Sequence, residues 1–158
     1  PVTGLEEGRP MFLRRPDSHL GLANFMRSHL YASLATLKIG LDILLKEEDV
    51  KIDSITGHGG LFKTKGVGQS ILAAAMNAPI SVMETAGEGG AWGMALLAAY
   101  MLSKKDGQSL GDYLDSRVFA ERKSETMEPD LADVAGFETY TKQYQACLAA
   151  EKAAVQAF

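Results

Sequence analysis

The sequence holds a single cysteine, Cys147, among 158 residues, so no internal disulfide can staple the fold. Histidine is almost as scarce: His19, His29 and His58 are too widely spaced for a zinc site, which gathers four ligands at short intervals. Basic charge is in deficit as well. There are 16 Lys and Arg against 20 Asp and Glu, a net charge of −4, whereas a nucleic-acid-binding surface needs a concentrated positive stripe. Long apolar runs are missing too. Residues 70–83 and 90–102 form the longest nearly apolar stretches, short of the ~18–20 residues of a membrane span. Asn77 and Pro79 interrupt the first of them. The chain opens at Pro1 with no charged-then-apolar leader. These absences predict a reduced, cytoplasmic setting, no nucleic-acid partner and no membrane partner. The lack of an initiator methionine suggests a piece of something longer.

Apolar residues make up 46% and charged residues 23% of the chain, the profile of a globular domain long enough to bury a core. The reading is one domain over 1–158: an irregular lead-in over 1–20 with a candidate strand at 10–14, an α/β core over 21–107, and a helical part over 108–158. From Asn24, a candidate N-cap, apolar residues recur at Met26, Leu30, Leu34, Leu37, Leu41 and Leu44, the three-and-four spacing of one buried helical stripe. Gly40 inside that helix costs up to ~1 kcal/mol of helix preference, which packing must offset. Residues 51–56 suit a strand, 66–76 a helix ended by Asn77 and Pro79, and 79–83 a second strand. A helix over 91–103, a short one near 109–117, a charged loop through Asp130 and a last helix follow. The last helix carries Phe137, Tyr140, Tyr144, Leu148 and Val155 on one face. Alternation of strand and helix predicts an α/β fold of short parallel strands with crossover helices. Two or three strands are too few for a parallel sheet covered on both faces, so strands from outside this chain are expected.

The informative segment is Ile55-Thr56-Gly57-His58-Gly59-Gly60-Leu61-Phe62-Lys63-Thr64. A glycine-rich turn at the carboxyl end of a strand is where open α/β sheets bind ligands, and glycine lets the backbone come close to one. Two familiar phosphate motifs fail on register. A Walker loop needs glycine directly before Lys63-Thr64, and a dinucleotide fingerprint begun at Gly57 needs its third glycine at the same place, which is Phe62. Begun at Gly87, the fingerprint meets Trp92 instead. Tight turning alone would also explain the glycines. His58, Lys63 and Lys65 are candidate phosphate contacts or solvated loop residues. Phe62 could stack on a base or plug a local core. Glu84 and Glu88 read as structural or solvated carboxylates, Arg27 and His29 as capping or contact residues, and Cys147 as inert.

Residues 57–64 with the helix after them, Ala78-Pro79-Ile80, Glu84 and Gly93-Met94-Ala95-Leu96-Leu97-Ala98 resemble the pattern of the FGGY carbohydrate kinase family. Gly21-Leu22, Arg27 and His29-Leu30-Tyr31 resemble the opening of its long helix. Glu128-Pro129-Asp130 and Glu151-Lys152-Ala153-Ala154-Val155 look like its carboxy-terminal end. The overall look is nearest to xylulose kinases. The resemblance implies a truncated carboxy-terminal domain of ribonuclease-H-like, actin-like ATPase fold. It also implies a parent enzyme moving the γ-phosphate of Mg2+-bound ATP to a sugar hydroxyl. Carried over, Gly57, His58, Gly59, Gly60, Lys63 and Thr64 are the nucleotide-binding residues. The aspartate base and the sugar contacts belong to an amino-terminal domain, so no catalytic residue and no metal ligand is expected here. This sequence departs from the pattern in His58, in the extra Leu61-Phe62, and in Thr36 where relatives carry an acid. The isolated chain is therefore expected to bind ATP at millimolar strength or worse and to be inactive. The alternative is a non-catalytic nucleotide-binding or interaction module of the same fold. Apolar faces left bare would favour a homo-oligomer in either case.

Overall fold

The computed structural model describes residues 3–52, 54–84, 86–120 and 124–157. The chain falls into two compact units: one gathers residues 1–53, 71–77 and 129–158, the other residues 54–70 and 78–128.

The first unit rests on two long helices, α1 (Leu22–Lys46) and α5 (Leu131–Ala157), packed on each other. Phe137 is fully buried and meets Tyr31 at 4.8 Å between ring centroids, while Tyr140 meets Tyr31 edge-on at 5.2 Å. Such pairs contribute about 0.5–1.5 kcal/mol beyond the area they bury. The expected face of α5 is borne out: Phe137 is buried and Tyr140, Tyr144, Leu148 and Val155 are half-buried. The α1 stripe is only partly so. Leu34 is buried and Leu30 and Leu41 are half-buried, but Met26, Leu37 and Leu44 are exposed. The buried face runs instead through Leu34, Ala35 and Lys38. Lys38 is tolerated there because its ammonium donates to Asp42 Oδ1 at 2.6 Å and lies 3.5 Å from Glu138 Oε1. A buried cation needs such partners. The helix also starts earlier than its apolar pattern does. Gly21 is the N-cap, and Asn24, inside the first turn, donates from Nδ2 to the His19 carbonyl.

The second unit carries a three-stranded sheet in the order β1 (Ile55–Gly57), β2 (Ile80–Met83), β3 (Ser124–Met127). β1 and β2 are parallel, with Ile55 opposite Ile80, and the crossover between them contains α2 (Val67–Met76). Only the first turn of α2 belongs to this unit. α2 ends where expected, at Asn77 with φ 49°. After β2 come α3 (Gly89–Ser103), the single-turn α4 (Leu110–Tyr113) and a π-helical turn over Leu114–Val118. Ser109 caps α4, accepting from the Asp112 amide at 3.1 Å.

Three expectations need correction. The sheet is mixed, because β3 runs antiparallel to β2 inside the stretch read as a charged loop. Its side chains are mostly exposed, so hydrophobicity did not mark it. The Ser81–Thr126 hydroxyl pair at 2.8 Å holds it, as do two bonds from Gln69 described below. Residues 10–14 form no strand, and Met11, Phe12 and Leu13 are exposed. The first strand occupies only Ile55–Gly57 of the run expected over 51–56, of which position 53 lies outside the described residues.

Candidate functional site

β1 and β2 are parallel neighbours, so the loops leaving their carboxyl ends lie side by side. The first turns at once. At Gly57 a Cβ would come within 2.6 Å of Phe62 Cε1, so the missing side chain is what lets the Phe62 ring lie over the strand end. Gly59 has φ 104° and ψ −172°, a region open essentially to glycine alone. A 3-10 turn over Gly60–Phe62 follows. The second loop makes its own 3-10 turn over Ala86–Glu88 and runs directly into α3.

The two loops are joined by a backbone bond and an ion pair. The Gly59 amide donates to the Ala86 carbonyl at 2.8 Å, and Lys63 Nζ lies 2.7 Å from Glu88 Oε1. Glycines make room for this contact: a Cβ on Gly87 would be 3.1 Å from Lys63 Cγ, and one on Gly89 would be 3.3 Å from His58 Nδ1. The hydrogen bond from Lys63, with its charge, holds the Glu88 carboxyl below its ordinary value. Both side chains are well exposed, so salt screens the pair. Lys65 is matched similarly, 3.0 Å from Glu125 Oε2.

Above the joined loops the backbone is bare. Among the described residues, and chain neighbours aside, no heavy atom lies within 4 Å of a Cβ built on Gly59, Gly60 or Gly90. Because the Gly59 amide is engaged, the main-chain donors that the first loop offers here are the amides of Gly60 and Leu61. They open the 3-10 turn and have no acceptor within it, as at the start of any helical turn. A hollow of about 530 Å³ lies beside Thr64, bordered by Phe62, Gln69, Val82, Met83 and Glu84.

The expected site residues therefore fall into three groups. Gly57 is covered by Phe62 and serves the turn. His58, Gly59, Gly60 and Lys63 sit together where the loops meet. Thr64 faces the adjoining pocket. Of the two readings of Phe62, the local plug describes its position over Gly57. The sequence reading missed the partnership with Ala86–Gly89. The run Gly87-Glu88-Gly89-Gly90 is its only signal, and nothing in a linear sequence says that two glycine-rich loops touch. Among the described residues, no group of three or more His, Cys, Asp or Glu is placed to hold a metal ion, and no helix is long and apolar enough to cross a membrane.

Paired glycine-rich loops at the carboxyl ends of adjacent parallel strands occupy the place where open α/β sheets take their ligands. Comparison with family models makes the assignment specific: residues 2–102 match the C-terminal domain of the FGGY family of carbohydrate kinases. The chain belongs to that family. Searches of curated proteins and of solved structures find no match. The matched stretch runs through α3 and ends before α4, β3 and α5.

Proposed function

We propose that this chain is the nucleotide-binding part of an ATP-dependent sugar kinase, with the ribonuclease-H-like fold of actin-like ATPases and with xylulose as acceptor. The observation that carries the proposal is the unobstructed backbone at Gly59 and Gly60, where the two strand-end loops meet in a carbohydrate-kinase domain. The residues suit a nucleotide. Glycine lets phosphate approach the main chain, and the Gly60 and Leu61 amides supply donors. Lys63 adds a point charge within the same loop. ATP, when bound, supplies the phosphoryl group. This chain's task is to position it, which is most of what phosphoryl transfer asks of a protein. Magnesium enters with the phosphates. The acceptor sugar and the catalytic base belong to the amino-terminal domain, and the complete enzyme works in the cytoplasm.

Half of a cleft holds a nucleotide weakly, since even millimolar affinity requires about 4 kcal/mol. The test is a titration of the isotope-labelled chain with millimolar Mg2+-ATP, wild type beside Gly60→Ala. A methyl at Gly60 has open space around it, so the fold is kept while the approach to the backbone is blocked. Loss of the amide shifts around Gly59–Leu61 is expected. Unchanged binding by Gly60→Ala refutes the placement. In the intact enzyme, ADP release with xylulose is expected, and silence across a panel of pentoses and polyols removes that substrate.

The second reading, a non-catalytic nucleotide-binding or interaction module, is favoured by the Lys63–Glu88 pair, which neutralises the cation nearest the bare glycines. Amide shifts without turnover in the intact protein decide for it.

A further inference from the structure

One side of α1 is apolar and uncovered. Leu22, Met26, Leu37 and Leu44 are 79%, 55%, 51% and 47% exposed, and Phe25 and Ile43 are exposed as well. Met26, Ser33 and Gly40 recur every seven residues, as do Leu30, Leu37 and Leu44. Interleaved at steps of four and three, these six positions have the spacing of a seam along which one helix packs on another. Its small members, Ser33 and Gly40, let a neighbouring backbone come close. α5 does not fill this role, because it meets α1 from another side, at Tyr31 and Lys38.

The charges at the two ends of α1 run against the helix. A helix favours acids at its start and bases at its end, yet the first turn of α1 holds no acid. Arg27 follows in the second turn, while Glu47, Glu48 and Asp49 stand at the far end. The base of the last turn, Lys46, is taken by Asp42 at 3.0 Å. Arg27 and the three acids are exposed and form no ion pair among the described residues. Each end thus lacks the opposite charge that an antiparallel helix of the same sequence would bring.

We propose that this face is a homodimer interface, in which α1 packs antiparallel on α1 of a second copy across a two-fold axis at Leu37. That axis sets Leu37 against the partner's Leu37, Leu30 against the partner's Leu44, and Arg27 against the partner's Glu47. Two-fold symmetry makes each unlike pair occur twice. A parallel pair would instead put like charges side by side at both ends. The exposed apolar side chains amount to roughly 500–600 Å² per copy, the size of patch that marks an interaction site. That is most of the ~800 Å² per partner that a stable pair buries, and the charged ends supply the polar rim. The interface goes beyond the nucleotide reading and does not depend on it.

Sedimentation equilibrium of the 158-residue chain, with no nucleotide present, tests the pairing. The mass should rise to twice that of the chain as concentration increases. Leu37 is half exposed, so Leu37→Glu keeps the fold, which circular dichroism checks, and sets two like charges on the axis. It should weaken association by about tenfold or more. Arg27→Glu and Glu47→Arg should each weaken it severalfold at low salt, and the two exchanges combined should restore it. A monomer at every concentration overturns the interface. A dimer indifferent to Leu37→Glu uses another face and overturns it equally. Failure of the double exchange to restore association refutes the antiparallel arrangement.

Discussion

The same substitution, glycine to alanine in a helix, should have opposite effects at two places in the sheet-bearing unit. Gly68 is the second residue of α2, and a Cβ there would lie 2.7 Å from Leu61 Cγ with the Leu61 carbonyl oxygen nearer still. Gly93 lies within α3, and nothing stands within 4 Å of its Cβ position. Alanine gains up to about 1 kcal/mol over glycine in either helix. At Gly93 nothing opposes that gain. At Gly68 the obstacle is main chain, which cannot swing aside as a flexible side chain can, so the 3-10 turn over Gly60–Phe62 must shift. Overpacking of this kind costs about 1–3 kcal/mol, so even after the helix gain Gly68→Ala is destabilised by up to about 2 kcal/mol. With a urea m-value of about 2 kcal/mol/M, the two midpoints should lie about 1 M apart on either side of wild type. Urea titrations followed by Trp92 fluorescence, which reports on the same unit, measure this. A Gly68→Ala midpoint at or above that of wild type would refute the close approach of α2 to the loop, and with it the geometry of the site.

Three further expectations concern charge and hydrogen bonding. Burial alone would push the Asp42 carboxyl up, but hydrogen bonds and charge from Lys38 and Lys46 outweigh it and hold the group below its ordinary value. Its stabilising contribution is therefore present above the unfolded carboxylate pKa of about 3.9 and fades as pH falls through the lowered folded value. Asp42→Asn should cost about 1–2 kcal/mol at pH 7, a gap to wild type that closes on acidification. A gap constant with pH counts against the pairing. Glu88→Gln frees Lys63 and should tighten ATP binding severalfold at low salt, with the gain shrinking as salt is added. Equal binding by mutant and wild type would detach Lys63 from the nucleotide. Gln69→Leu takes one donor from each of the Ile80 and Glu125 carbonyls and should cost about 2–4 kcal/mol. Hydrogen exchange of the β3 amides should then quicken before that of β1, and unchanged protection of β3 would show that Gln69 does not hold it.

Much of this architecture could be read from the residues because it follows local rules. The helices over Val67–Met76 and Gly89–Ser103 have apolar runs and clear breakers at their ends, and Phe137, Tyr140 and Tyr144 recur at helical spacing on α5. β3 could not be read that way. Ser124-Glu125-Thr126-Met127 is polar and exposed, and its place is set by Gln69 and Ser81, distant in sequence. The turn of the α1 stripe toward Lys38 was hidden for a similar reason: a lysine looks solvated until Asp42 and Glu138 are seen beside it. At the candidate site the glycines of the first loop were visible, being chemically distinctive. The glycines of the partner loop are as plain, but its meeting with the first is not, because contact between segments about 25 residues apart comes from strand adjacency rather than from any local pattern.

Sheet order also bears on synthesis. About 40 residues separate the end of β2 from the start of β3, and closing so long an interval carries an entropic cost that delays the antiparallel pairing. As the polypeptide leaves the ribosome, one flank of Ile80–Met83 keeps its hydrogen-bonding groups unmatched until Met127 has emerged, a template for any neighbouring extended chain. Nascent chains stalled within that window should be the ones most dependent on chaperones.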